Sequence, residues 1–203
     1  MTINARGYLD HLKVYLNTAC YGKTCLASET RGIGEKQLVL SEKVEGARRR
    51  RKVTLGFDDD AFAIKLDQGK DALFHFLTNG DGHLWSRRCD FVVFERRGER
   101  LHVHCIEFKE ASTRIPVDTI FLQLKAAEAW CRSLHKILGA YVDEAKRLNL
   151  SCYVFTGCQN PAPDLDDTGK YLRKHPSIRH YLFEEADGMN LKDLENSTVK
   201  VIQ

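Results

Sequence analysis

The chain has 203 residues, of which 43% are hydrophobic and 29% charged, and its formal net charge at pH 7 is +3. This length and composition are typical of one globular domain, 1–203, that buries a sizeable core. No apolar run approaches the roughly 20 residues that a membrane-spanning helix needs, and the first residues lack the apolar stretch of a secretory signal. A cytoplasmic protein without membrane contact is therefore expected. The mildly basic charge permits nucleic-acid binding without requiring it.

The seven cysteines do not indicate a disulfide framework or a zinc site. They are scattered along the chain, and three lie within apolar runs where a thiol behaves as a small hydrophobic group. Disulfides are disfavoured in a reducing compartment. Cys20, Cys25, His102 and His104 are conceivable zinc ligands, but no two cysteines form the Cys-x-x-Cys pair that is typical of such sites.

The N-terminal part of the chain combines candidate helices with strongly charged segments. Apolar residues at approximately helical spacing predict a helix over 7–21 and another over 35–45, where Glu35 and Glu42 share a face. Residues 48–52 are Arg-Arg-Arg-Arg-Lys, which indicates either a solvated loop or a surface that contacts phosphates. The three aspartates at 58–60 favour the N-terminus of a helix.

The next segment leads into a predicted β-hairpin. Residues 61–77 are rich in apolar side chains, but their spacing does not distinguish a strand from a short helix in the second half. The sequence Asn-Gly-Asp-Gly at 79–82 predicts a turn. Two apolar strands, 91–96 and 100–106, are then joined by a tight, charged turn.

Ionisable residues mark the ends of this hairpin. Asp90 opens the first strand, and Glu107 and Lys109 close the second, where strand alternation projects both to one face. Antiparallel pairing brings Asp90 next to them. Two carboxylates and an amine at one position can hold a divalent cation and activate a water. His102 and His104 lie on the opposite face of the second strand, away from this group.

The C-terminal half is predicted to alternate helices with strands. Its predicted elements are a polar loop to Pro116, a long helix from about 118 to about 138 that ends at Gly139, a further helical stretch over 141–149, a buried strand over 150–157, a loop over 159–169, a helix-like region over 171–185 and a weak strand over 198–202. Because the buried strand follows a helical crossover, it can pair in parallel with the hairpin. The expected fold is α/β, with a mixed central sheet flanked by helices.

The pattern of Asp90, a hairpin, Glu107-Phe108-Lys109 and a long helix that contains Gln123 resembles the PD-(D/E)xK nuclease superfamily. The resemblance covers about 30–157 and implies a restriction-endonuclease-like αβββαβ core, with 158–203 as a C-terminal extension of helix and strand. Two positions depart from the family. Cys89 replaces its proline, and Ala127 stands where the RecB-like branch has a tyrosine.

This resemblance implies a metal-dependent nuclease that hydrolyses phosphodiester bonds, as a DNA endonuclease in a defence, restriction or repair context. It assigns Mg²⁺ or Mn²⁺ to Asp90, Glu107 and the backbone carbonyl of Phe108. The family's first helix often contributes a further acidic residue, for which Glu35 and Glu42 are both candidates. Lys109 would orient or deprotonate the attacking water and stabilise the developing oxyanion. Orientation is favoured, because the two carboxylates oppose the lowered lysine pKa that a base needs. Gln123 would position a carboxylate, the lysine or the water.

The implied partner is nucleic acid, with DNA favoured over RNA. The candidate phosphate contacts are Arg48, Arg49, Arg50, Arg51 and Lys52. Small nucleases of this kind often act as homodimers or in larger complexes with a partner ATPase or recognition subunit, and this chain carries no Gly-rich ATPase motif of its own. The alternative is a catalytically inactive relative that serves as a nucleic-acid-binding or assembly subunit. The two interpretations differ in metal-dependent activity.

Overall fold

The computed structural model describes residues 4–17, 24–25, 28–29, 36–43, 49–67, 83–110, 113–141 and 147–203. Within these segments the α-helices are α1 (Ala5–Tyr15), α2 (Val117–Tyr141) and α3 (Phe183–Ala186), and single 3-10 turns lie at Leu84–Ser86, Ala162–Asp164 and Leu191–Asp193. The described strands are β1 (Thr24–Cys25), β2 (Ser28–Glu29), β3 (Lys36–Lys43), β4 (Arg50–Phe57), β5 (Asp60–Lys65), β6 (Phe91–Arg97), β7 (Arg100–Lys109), β8 (Leu148–Thr156), β9 (Tyr171–Leu172), β10 (His175–Leu182) and β11 (Lys200–Ile202).

Most of the described strands form one mixed sheet in the order β1-β5-β6-β7-β8-β10-β9, and β11 pairs with the beginning of β8. β5, β6 and β7 are antiparallel neighbours, whereas β8 is parallel to β7 and β10 is parallel to β8. α2 is the crossover that connects β7 to β8. β2, β3 and β4 form a smaller antiparallel sheet. The prediction of a mixed central sheet flanked by helices is confirmed.

The main sheet carries a hydrophobic layer on each face. On one face, α1 and α2 pack against the strands, with Leu124 of α2 in the same buried cluster as Val103. On the other face the small sheet packs through Leu40 and Leu55 into a cluster that includes Ile106. Because side chains alternate along a strand, β7 contributes Val103 to the first layer and Ile106 to the second. β7 is thereby held from both sides.

The helix predicted over 35–45 is wrong for the described residues, since Lys36–Lys43 is the strand β3. Leu38 and Leu40 alternate into the buried layer, and Val39 between them is exposed. β4 pairs with β3 along its whole length. Burial of two leucines against the main sheet favours the strand over a helix with only a weak apolar stripe. The solvated-loop alternative for 48–52 is also wrong for residues 50–52, because β4 begins at Arg50.

The helix N-terminus predicted at 58–60 is wrong as well. Asp58 and Asp59 form the turn between β4 and β5, and Asp60 is the first residue of β5. Each carboxylate is instead paired with a cation from another element: Asp58 with Lys192, Asp59 with Arg96 and Asp60 with Lys13. Ion pairs to three separate elements therefore account for the acidic triplet.

The helix-like region predicted over 171–185 is mostly strand. β9 and β10 occupy its first part, and only the single turn α3 is helical. β10 pairs with β8 from Ile178 to Leu182 and buries Ile178 and Tyr181. Pairing with the edge of the main sheet makes this segment a strand, because the spacing of its apolar residues does not distinguish a strand from a helix. The extension predicted over 158–203 thus contributes strands to the main sheet, and the number of domains stays a prediction.

The remaining predicted elements agree with the structure in part. The hairpin, the long helix, the buried strand and the final strand are present. α2 continues through Gly139 to Tyr141, and Gly139 has open space around it. In the stretch predicted as helical over 141–149, residues 148–149 belong to the strand β8, and 142–146 lie outside the described residues. The predicted turn at 79–82 and the part of 61–77 beyond Asp67 also lie outside the described residues. None of the described helices is long and apolar enough to cross a membrane.

Candidate active site

The hairpin register places Asp90 beside Glu107. Phe91 pairs with Ile106 in the antiparallel hairpin. Asp90, which precedes Phe91, therefore lies next to Glu107, which follows Ile106. The backbone N–H of Phe108 donates a 2.7 Å hydrogen bond to Oδ2 of Asp90, and the backbone N–H of Asp90 donates a 3.1 Å bond to Oε2 of Glu107. Each carboxylate is thus fixed by the backbone of the other strand. The structure brings these two residues together as the sequence predicts.

Lys109 completes the group. Its Nζ lies 2.5 Å from Oε1 of Glu107. The side chain of Glu107 is completely buried, whereas that of Lys109 is 25% exposed. Glu107 therefore lies at the base of the group, and Lys109 forms its solvent-facing side. The two carboxylates and the amine converge at the end of β7.

Burial strongly perturbs both carboxyl groups. It raises the pKa of Asp90 to about 7, although the hydrogen bond from Phe108 and the charge of Lys109 act in the opposite direction. Burial and the adjacent Asp90 raise the pKa of Glu107 well above its ordinary value. Both carboxyl groups therefore hold a proton more readily than exposed carboxyl groups do, and a bound cation would favour their charged forms. A pair of carboxyl groups with strongly perturbed pKa values marks a candidate functional site.

The Lys109 ammonium is stabilised in its charged form. Burial acts to lower its pKa, but the carboxylates of Glu107 and Asp90 outweigh this effect and raise the pKa above the ordinary lysine value. Lys109 is therefore protonated at neutral pH in this arrangement. A protonated lysine can orient a ligand and stabilise negative charge, but it cannot accept a proton.

A polar cleft of about 280 Å³ opens beside Lys109. Its lining comprises Asp67, Ser86, Arg87, Arg88, Lys109, Thr119 and Gln123. Gln123 of α2 reaches the cleft but donates to the backbone carbonyl of Arg88 at 2.9 Å, not to either carboxylate. Its Oε1 is buried and has no hydrogen-bond partner among the described residues. Gln123 therefore holds the backbone two residues before Asp90 and leaves an acceptor at the site.

Asp67 is a cleft residue that the sequence pattern did not indicate. It follows β5, and β5 is the antiparallel neighbour of β6, where Lys65 pairs with Phe91. The backbone N–H of Leu66 donates to the carbonyl of Asp90 at 2.9 Å, which places the end of β5 at the site. The only sequence signal is an aspartate directly after an apolar run, which becomes informative once the strand pairing is known.

Of the two acidic residues expected on a first helix, the one that the structure describes, Glu42, is not on a helix. Glu35 lies outside the described residues. Glu42 lies on β3, where its carboxylate is ion-paired with Lys65. Its charge contributes to the raised pKa of Asp90, which places it near the site. Glu42 is therefore a neighbour of the site from the small sheet.

The side chains of the basic segment at 48–52 do not share one environment, because alternate residues of a strand point to opposite faces. Arg48 lies outside the described residues. Arg51 points inwards, where it pairs with Glu110 at 2.5 Å and stacks over Phe183 with a centroid distance of 4.6 Å. Arg50 bonds Ser41 on the other face of the small sheet.

The other members of the basic segment remain accessible. Lys52 is exposed, and the side chain of Arg49 is 70% exposed although it lies 4.0 Å from Glu110. Glu110 directly follows Lys109 in the chain. Arg49 and Lys52 are therefore better candidates for phosphate contacts than Arg51, which is already engaged.

The histidines of β7 lie on the face opposite to Glu107 and Lys109, as predicted. Nε2 of His104 lies 3.0 Å from the buried carboxylate of Glu95, and its ring packs 5.7 Å from that of Tyr153. His102 stacks on His104 with a centroid distance of 6.4 Å. These rings belong to the face that meets the small sheet.

The donor set of the site fits a hydrated divalent cation. Asp90 and Glu107 offer adjacent carboxylate oxygens whose charged forms are disfavoured by burial and would be favoured by a bound cation. Mg²⁺ characteristically binds one or two carboxylates while it keeps several waters. In the described part of the chain no group of three or more His, Cys, Asp or Glu side chains is arranged to hold a metal ion. The residues therefore fit a two-carboxylate magnesium or manganese site and do not fit an all-protein cage.

Comparison with protein-family models, curated proteins and solved structures found no match to this chain. Its function must therefore be inferred from the geometry and chemistry of the site.

Proposed function

We propose that the protein is a metal-dependent nuclease that hydrolyses phosphodiester bonds, with DNA as the favoured substrate. The observation that carries this proposal is the convergence of buried Asp90 and Glu107 with the protonated Lys109 beside a polar cleft. The element order supports it, because α1, β5, β6, β7, α2 and β8 follow one another in the helix-strand-strand-strand-helix-strand sense of a PD-(D/E)xK core. β1 to β4 are then additions between its first helix and first strand.

The chemistry divides between the cation and the side chains. When bound, a divalent cation lowers the pKa of a coordinated water and neutralises charge on the scissile phosphate. Asp90 and Glu107 would hold the cation through their carboxylate oxygens. Lys109 orients the attacking water by donating a hydrogen bond and stabilises the charge that develops on the phosphate oxygens. Gln123 offers its buried Oε1 to the same cleft.

Cleavage of nucleic acid is the direct test. The protein should cut at least one of linear, circular or single-stranded DNA, or RNA, in Mg²⁺ or Mn²⁺ but not in EDTA. Lys109→Met should lower the rate by roughly 10²–10³-fold, the usual loss when one electrostatic donor is removed. Lys136→Met removes an exposed lysine from the C-terminal half of α2 and should cut at the wild-type rate.

Equal rates for the wild type and Lys109→Met would contradict the assigned site. Failure of the wild type to cut any of these substrates, with salt-dependent nucleic-acid binding retained, would favour the catalytically inactive alternative. In both cases circular dichroism should show that the variants are folded.

The exposed cations of the basic segment should contribute to nucleic-acid affinity. Replacing Arg49 and Lys52 together with glutamine should reduce the slope of log affinity against log salt by roughly 0.9 for each duplex-DNA phosphate that the variant no longer neutralises. The matched control replaces Lys136 and Arg147, exposed residues remote from the end of β7, with glutamine. Fluorescence anisotropy over a salt series measures both slopes. Equal slopes in the two double variants would remove Arg49 and Lys52 from the interface.

A further inference from the structure

The Lys109 ammonium occupies a position where a cation would bind. Oε2 of Glu107 already accepts the backbone N–H of Asp90, so Oε1 is its freer oxygen. That oxygen lies 2.5 Å from Nζ of Lys109. A divalent cation on Glu107 and the ammonium on the same oxygen repel each other, because both are positively charged at close range. Cation binding therefore favours movement of the ammonium away from this oxygen.

One carboxylate in the described lining of the cleft can pair with the ammonium after it leaves Glu107. Asp67 is the only acidic residue in the described lining of this cleft, and two of the other lining residues, Arg87 and Arg88, are cations. Asp67 is exposed and lines the same cleft as Lys109, and its carboxylate acts to raise the pKa of Lys109. The Lys109 side chain is 25% exposed, and its four-carbon stem rotates readily.

We propose that Asp67 is a positioning residue, which receives the Lys109 ammonium when a divalent cation occupies Asp90 and Glu107. This inference rests on the proposed function and adds a second position for the lysine. In the first position Lys109 neutralises Glu107 in the absence of cation. In the second it lies across the cleft, where a scissile phosphate would enter. Cation binding and the position of Lys109 are then linked, so each biases the other.

Two roles for Asp67 predict different energetic coupling. If Asp67 acts through Lys109, its removal weakens cation binding only while Lys109 is present. If Asp67 contacts the cation or attracts it through its general field, its removal weakens binding equally whether or not Lys109 is present. A double-mutant cycle over Asp67 and Lys109 separates these cases.

The experiment is an isothermal titration of Mn²⁺, without nucleic acid, into the wild type, Asp67→Asn, Lys109→Met and the double variant. About 0.15 M salt keeps long-range charge effects small. Lys109→Met should tighten Mn²⁺ binding by roughly tenfold, because a competing ion is removed, and Asp67→Asn should weaken it by roughly threefold to tenfold. In the Lys109→Met background, Asp67→Asn should have no effect. Asp67→Glu should restore affinity.

The control is Asp167→Asn, which removes one negative charge from a fully exposed side chain outside the cleft and should leave Mn²⁺ affinity unchanged. Weakening by Asp67→Asn in both backgrounds would overturn the positioning role, and so would no weakening in the wild-type background. Thermal unfolding in EDTA confirms that each variant is folded, with Asp67→Ser as the substitute if Asp67→Asn does not fold.

Failure of this inference is distinguishable from failure of the proposed function. If the wild type cleaves nucleic acid with Mn²⁺ but the cycle shows no coupling, only the role of Asp67 is wrong. If neither the wild type nor Lys109→Met binds Mn²⁺ and the wild type does not cleave, the metal-dependent nuclease proposal is overturned together with this inference.

Discussion

Replacing Asp90 with asparagine is expected to stabilise the metal-free protein at pH 8 by about 1–3 kcal/mol while it abolishes cation binding. Burial raises the pKa of Asp90 from 3.8 to about 7. A displacement of about 3 pH units corresponds to roughly 4 kcal/mol of unfavourable free energy for the charged form. Asparagine can keep the hydrogen bond from Phe108, but burial of its amide offsets part of the gain.

The sign follows from the direction of the pKa change. A carboxyl whose folded pKa is raised binds more protons in the folded state than in the unfolded state between the two pKa values. The wild type therefore loses stability as the pH rises from about 4 to about 7, and the full penalty persists at higher pH. Asp90→Asn lacks this loss, so its advantage should shrink towards zero as the pH falls to about 4.

Urea unfolding in EDTA across this pH range measures the effect. Asp166→Asn is a control of opposite sign, because backbone N–H groups of Tyr171 and Lys170 outweigh burial and lower the pKa of Asp166. That variant should be less stable than the wild type at pH 8, and the difference should disappear in acid. Mg²⁺ at 100 times its Kd should stabilise the wild type by about 2.7 kcal/mol and leave Asp90→Asn unchanged. If Asp90→Asn is less stable than the wild type at pH 8, the buried charge of Asp90 does not destabilise the folded protein, and this interpretation is wrong.

Replacing Glu95 with alanine is expected to lower the free energy of unfolding by about 3 kcal/mol at pH 7, the lower end of the range for a broken buried ion pair. The Glu95 carboxylate is buried between Nε2 of His104 at 3.0 Å and the Arg97 guanidinium at 2.6 Å. Arg97 also donates to the carbonyl of Leu191, so the group ties the hairpin to the C-terminal segment. Arg97 is partly exposed and can turn to water, which limits the loss.

Denaturant unfolding compares Glu95→Ala with Glu95→Gln, which keeps a hydrogen-bond acceptor and should lose less stability. Burial acts to raise the pKa of Glu95, but hydrogen bonds from His104 and Arg97 outweigh it and lower the pKa below 4.5. The contribution of the charge is therefore present above pH 4.5 and is lost as the pH falls through the folded pKa. Equal stability of the wild type and Glu95→Ala at pH 7 would show that this ion pair does not support the hairpin.

Prediction from sequence succeeded where the signal was local. The hairpin is specified by two apolar runs and a charged turn, and α2 by a long apolar stripe, so both could be recognised without knowledge of the rest of the chain. The position of Asp90 beside Glu107 follows from the hairpin alone, because antiparallel pairing has a period of two and a short turn sets its register. The proximity of Asp90 and Glu107 could therefore be predicted from the sequence.

Prediction failed where a distant partner decides the local structure. Residues 36–43 have too few apolar side chains to specify a helix or a strand, and the surface of the main sheet selects the strand that buries Leu38 and Leu40. Residues 175–182 likewise become β10 because an edge of β8 is available. The role of a segment in a sheet depends on hydrogen-bond partners far away in the chain, which local spacing does not contain.

The sequence by itself determined the hairpin, the long helix and the grouping of Asp90, Glu107 and Lys109, because neighbouring residues on paired strands must lie together. Only the tertiary structure decided which oxygen Lys109 contacts, that Asp67 shares its cleft, and that Gln123 binds the backbone before Asp90. These contacts join strands and a helix whose relative placement follows from packing on both faces of the main sheet. Burial, which strongly perturbs the two carboxylates, is itself a product of that packing.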